Sequence, residues 1–98
     1  MKILLKSFGR DTASQQVIQR LQAVLAHWAD RLGRVVVRLT DANGPKGGVD
    51  KVCSIQLEVL RQEPLRVTAI SPDHATAVEL AIRRAGRAAA RTFDRRPY

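Results

Sequence analysis

The sequence predicts a two-layer α+β sandwich of order β-α-β-β-β-α, in which a four-stranded sheet carries two helices on one face. Three observations carry this. Apolar residues between Val17 and Leu32 recur at the i, i+3, i+4, i+7 spacing of one helix face. After Gly33 the apolar period switches to two in three successive segments. From Asp73 to Phe93 the pattern is helical again.

Ile3 to Phe8 is short and apolar and forms the first strand in this reading. Asp11 and Thr12 open the first helix, with Thr12 and Gln15 at capping-box spacing. Val17, Ile18, Leu21, Val24, Leu25, Trp28 and Leu32 line one face, which predicts a helix over 12–32. Gly33 is expected as its C-cap, and Trp28 as a core anchor between helix and sheet. Val35, Val37 and Leu39 then alternate with Val36, Arg38 and Thr40. Cys53, Ile55, Leu57 and Val59 alternate with Ser54, Gln56 and Glu58, and Leu65, Val67 and Ala69 with Arg66, Thr68 and Ile70. Strands of this kind are covered on one face. Both helices therefore lie on the apolar face, leaving Arg38, Gln56, Glu58 and Arg66 on the polar one. The first strand, helix and second strand make a right-handed crossover, and the later strands add as hairpins.

The segment Asp41 to Gly48 is dense in turn formers and predicts an extended hairpin tip, across which Asp41 and Asp50 face each other. Gln62-Glu63-Pro64 makes a tighter reversal. Ser71 as N-cap and Pro72 at the first helical position start the last helix, over 73–93. Its Val78, Ile82, Ala85, Ala89 and Phe93 share one side.

The 98 residues are read as a single domain, 1–98, and 45% hydrophobic residues exclude a disordered chain. No apolar run reaches bilayer length, so no membrane association is expected. The apolar start stops at Lys6, short of a signal-peptide core, and a cytoplasmic location is the expectation. Cys53, the sole cysteine, forms no zinc-ligand set with His27 and His74. Nor do these groups assemble a nucleophile with a base and an orienting partner. The chain is read as a non-enzyme, with no catalytic residue, metal, cofactor or small-molecule substrate. Cys53 itself reads as a buried structural thiol.

Charge is the informative quantity. Seventeen Lys and Arg stand against nine Asp and Glu, a net charge of +8. Most of the cations are Arg, whose planar fork suits phosphate. They concentrate at the end: Arg83, Arg84, Arg87, Arg91, Arg95 and Arg96 share their segment with Asp94 alone. Arg83, Arg84, Arg87 and Arg91 fall opposite the apolar side of the last helix. A solvated helix face intersperses acids at i,i+4, and this one has none between Arg83 and Phe93. An anionic partner is the expectation, nucleic acid first. The glycines of Asn43–Lys51 do not make a phosphate loop, since no Gly-Lys-Ser/Thr and no helix N-terminus follows. Lys46 and Lys51 at that hairpin remain able to touch an anionic partner. Phe93 and Tyr98 are too few for an aromatic base-stacking platform.

The stretch Leu39-Thr40-Asp41-Ala42-Asn43-Gly44-Pro45-Lys46-Gly47-Gly48-Val49-Asp50-Lys51-Val52-Cys53 resembles a hairpin of the ribosome hibernation-promoting factors, also called sigma-54 modulation proteins or ribosome-associated inhibitors. Asp73-x-x-x-Ala77-Val78 followed by Arg84, Arg87 and Arg91 is similar to that family's last helix, although Ala75 stands where many members have an aromatic. The resemblance implies a fold like double-stranded-RNA-binding domains and a site on the small ribosomal subunit. There the family occupies the messenger and transfer RNA channel near the decoding region and silences translation in idle, stressed cells. It further implies contacts to ribosomal RNA by Arg84, Arg87 and Arg91, with Arg83 adjacent; from the charge pattern itself, Arg95, Lys46 and Lys51 are added as candidate RNA contacts. With Tyr98 as its last residue the chain resembles a short form, expected as a monomer in solution. Two other readings use the same arginines: a general structured-RNA binder, and a module for an acidic protein partner.

Overall fold

A computed structural model describes residues 1–7, 13–43 and 49–94. The order is β1 (Lys2–Lys6), α1 (Ala13–Leu25), a 3-10 helix (Ala26–Arg31), β2 (Leu32–Asn43), β3 (Val49–Val59), β4 (Leu65–Ser71) and α2 (His74–Phe93). The strands lie side by side as β1-β2-β3-β4. β1 and β2 run parallel, and the two later pairs are antiparallel. This is the α+β sandwich that the periodicities predict.

The alternation decides which face is covered. Val35, Val37 and Leu39 of β2 and Cys53, Ile55, Leu57 and Val59 of β3 are buried. They pack in one core with Val17, Leu21 and Leu25 of α1 and Val78, Ile82, Ala85 and Ala89 of α2. Both helices thus sit on the same face. Arg38, Glu58 and Arg66 are exposed on the other, with Gln56 half-buried between them. Ala77, Ala81 and Ala88 join the buried side of α2. Their single methyl groups let the helix lie close to the strands, which larger residues at all seven buried positions would prevent.

Several local expectations are corrected. The first helix ends at Leu25 and tightens into the 3-10 helix, instead of running to Leu32. Leu32 is already extended and pairs with Val59, so Gly33 is a strand residue and not a helix cap. A bulge interrupts the ladder between Leu32 and Val35. Glu58 lies over Gly33, where a Cβ would come within 2.5 Å of its Oε1. Gly33 therefore does not terminate a helix, and a larger residue there would have to displace the flexible Glu58 side chain. Trp28, on the 3-10 helix, is partly buried against the core as expected, and it also reaches the end of α2. Its ring stacks on Phe93 at 6.3 Å, and its Nε1–H donates to Asp94 Oδ1 at 3.2 Å. The N-cap of α2 is Asp73, not Ser71: its carboxylate accepts from the Thr76 backbone N–H at 2.7 Å and the Thr76 hydroxyl at 2.9 Å. Ser71 belongs to β4 and is buried. The capping box at Thr12 lies outside the described residues.

Cys53 sits in the middle of β3 with no exposure, as expected of a structural thiol. Burial pushes its pKa up to about 11, so it is neutral and unreactive at physiological pH. Cys53→Ala is expected to cost about 1 kcal/mol or somewhat more and to leave binding of an anionic partner unchanged. Urea unfolding and a binding assay on the same preparation check both halves. Lost binding by a folded variant would assign the thiol a role beyond packing.

Candidate nucleic-acid interface

The basic side of α2 divides in two. Glu79, one turn before Arg83, accepts from Arg83 Nε at 3.4 Å and from Arg20 Nη2 of α1 at 2.8 Å. Arg83 therefore belongs to an ion-pair network that joins the helices. The Arg20 hydrogen bond, foremost, holds the Glu79 carboxyl below the usual carboxylate range. On the other flank, Arg84, Arg87 and Arg91 face the open edge of the sheet at β4. None of the three has an ion-pair partner among the described residues.

The geometry on that flank is a shallow double groove between α2 and β4. Val67, Thr68, Arg84, Arg87 and Arg91 line one section of about 210 Å³. Gln62, Leu65, Arg66, Val67, Ala88, Arg91 and Thr92 line a second, of about 530 Å³. Arg84 Nη1 donates to the Thr68 carbonyl oxygen. That contact satisfies an acceptor which an edge strand otherwise leaves open to pairing with another chain. It also fixes one guanidinium at the groove wall. Arg87 and Arg91 remain exposed beside it. Such an arrangement offers guanidinium forks of N–H donors at helical spacing, suited to phosphate oxygens.

Lys51 of the hairpin does not line this groove. The register places Lys51 opposite Asp41, and Ala42 opposite Asp50, which corrects the expectation that the two aspartates face each other. Lys51 Nζ donates to Asp41 Oδ1 at 2.9 Å, and His74 Nε2 lies 3.5 Å from the same oxygen. Lys51 thus brings a largely neutralised and partly covered ammonium to any anion. Lys46 and Arg95 lie outside the described residues, as do Arg96 and Tyr98. Phe93 is occupied by Trp28 and by the Arg31 guanidinium, 5.4 Å from its centroid, and offers no free ring for a base. Sequence reasoning missed the Thr68 carbonyl, Gln62 and Arg66 as parts of the groove. The period-two pattern could place Arg66 on the polar face, but not the edge against α2.

No group of His, Cys, Asp and Glu among the described residues is arranged to hold a metal ion. No described helix is long and apolar enough to cross a membrane.

Three carboxyls are depressed by their partners. Hydrogen bonding from Lys51, foremost, lowers Asp41; the Thr76 backbone N–H lowers Asp73; Arg20 lowers Glu79. A carboxyl with a folded pKa below its unfolded value gives stability that is complete above the unfolded value and is lost as pH falls through the folded one. Thermal melts are therefore expected to be flat from about pH 7 to about pH 5 and to shift downward below about pH 4. A melting temperature unchanged down to pH 2.5 would show that these contacts contribute nothing.

No family model matches the chain, and no curated protein sequence matches it. Solved structures do. A ribosomal subunit interface protein from Coxiella burnetii superposes with a TM-score of 0.68 at 13% identity, over 97% of this chain and 100% of that one. The N-terminal domain of Protein Y from Thermus thermophilus gives a TM-score of 0.70 at 21% identity, over 94% of this chain and 99% of that one. Over nearly its whole length, the chain has the fold of these two proteins.

Proposed function

We propose that this domain binds the small ribosomal subunit and silences translation as a hibernation factor. It does so without catalysis, by occupying the channel of messenger and transfer RNA near the decoding region. The observation that carries the reading is the groove between α2 and β4, with Arg84, Arg87 and Arg91 unpaired by any described carboxylate. The fold shared with a ribosomal subunit interface protein supports the choice of the ribosome among structured RNAs. Phosphate contacts position a protein without reading sequence, and the shape of the site supplies selectivity. A sheet-backed helix is suited to that task because it sets its arginines at fixed helical spacing, with the Arg84 guanidinium also held by the Thr68 carbonyl before binding. Arg83 and Lys51 take a lesser part, since Glu79 and Asp41 already engage them. Arg95 and Lys46, which lie outside the described residues, remain candidate RNA contacts in the proposal.

The test is competition. Labelled protein bound to purified small subunits is challenged with an unrelated RNA duplex at equal phosphate concentration. Retention on the subunits, together with inhibition of translation in a reconstituted system, supports the proposal. Displacement at parity identifies a general duplex binder instead, and failure to bind either RNA leaves an acidic protein as the partner.

A further inference from the structure

The face of the sheet opposite the helices is also basic, and the α2 groove does not account for it. The strand registers bring Lys2 and Lys6 of β1, Arg34 and Arg38 of β2 and Arg66 of β4 onto this face. Among the side chains described on this face the one carboxylate is Glu58, and Arg34 takes it at 3.3 Å. Lys6 stands directly opposite Arg38 in the parallel register. Adjacent strands are about 4.8 Å apart, so two like charges are held side by side. Neither has an ion-pair partner among the described residues. A groove of about 270 Å³ here is lined by Leu4, Val36 and Gln56 with Lys6, Arg34, Arg38 and the Arg34-paired Glu58.

We infer that this open face is a second phosphate-binding surface, so that one molecule lies between two RNA segments, one on the α2 groove and one on the sheet. The inference rests on the ribosome-binding reading and extends it to the other side of the domain. Three features select the occupant. No aromatic residue lies on the face among the described residues, which leaves bases nothing there to stack on and favours contact to the backbone. A second copy of the chain would set Lys6 and Arg38 against the same cations. The centre of a protein–protein interface is depleted of Lys and built on aromatic anchors, the reverse of what stands here.

The buried, unreactive Cys53 makes the test specific. A benzophenone is placed on one introduced cysteine, Gln56→Cys on the open face or Thr92→Cys beside Arg91, and each protein is irradiated with purified small subunits. The inference predicts ribosomal RNA crosslinks from both positions, at different RNA segments. It also predicts that Lys6→Gln with Arg38→Gln weakens subunit binding on the order of tenfold at physiological salt and lowers the log–log salt slope by about 1–2. Both side chains are exposed, so a thermal melt like that of wild type confirms the fold of the pair variant. RNA crosslinks from position 92 alone, or crosslinks from position 56 to ribosomal protein, overturn the inference and leave the proposed function standing. RNA crosslinks from neither position overturn both.

Discussion

Replacing Arg84, Arg87 and Arg91 together by Gln is expected to abolish nearly all association with the small subunit while leaving the domain folded. Gln keeps the helix propensity of Arg, and none of the three makes an ion pair with a described residue, so the fold loses little. Each phosphate contact releases about 0.9 of a counterion, and three lost contacts lower the salt slope by about 2–3. Extrapolated to physiological salt, this is a loss of affinity on the order of 100-fold. The Arg84 contact to the Thr68 carbonyl does complicate the variant. Its loss reopens an acceptor at the β4 edge, so the variant's sedimentation must first be shown to be monodisperse. Arg20→Gln with Arg83→Gln serves as the control. That pair holds the helices together through Glu79, and its replacement is expected to affect melting more than binding.

The largest expected effect on stability comes from Leu21→Ala. Leu21 has no exposure and packs where α1 meets α2 over the sheet. Truncating a buried leucine costs about 2–5 kcal/mol, through lost transfer energy and the cavity left behind. For a domain of this size that lowers the melting temperature by about 10–20 °C. The site has little means of collapsing. Gly86 already brings the α2 backbone so near α1 that a Cβ there would lie 2.8 Å from Val24 Cγ1. Differential scanning calorimetry reads the shift directly, and a change below about 1 kcal/mol would mean that α1 contributes little to the core.

The sheet was legible because its strands are buried on one side only. Val37, Ile55 and Val67 against Arg38, Gln56 and Arg66 leave no second register that keeps cations out of the core. The helix boundaries were less so. Ser71 and Asp73 are both competent caps around Pro72, and the choice depends on where β4 stops pairing, which is a matter of tertiary structure. Gly33 reads as a terminator in one dimension and proves in three to be a strand residue beneath the Glu58 side chain. Trp28 continues the apolar stripe, but the 3-10 helix turns it toward Phe93. In the candidate site, helical spacing alone aligned Arg84, Arg87 and Arg91. It did not show that Arg83 is claimed by Glu79, because that depends on Arg20, distant in sequence, arriving on the neighbouring helix. The basic open face was visible as polar positions, yet Lys6 beside Arg38 needed the parallel pairing of β1 with β2.

The central claim is that exposed arginines of one rigid domain hold ribosomal RNA by its phosphates. Co-sedimentation of the wild-type protein with purified small subunits, over a salt series from about 50 mM to about 500 mM, tests it most directly. The account predicts saturable binding at the low end and release as salt rises, with a log–log slope of about −3 or steeper for the wild type that is shallower by about 2–3 in the Arg84, Arg87, Arg91 variant. Binding that is indifferent to salt, or the same slope in both proteins, would contradict it.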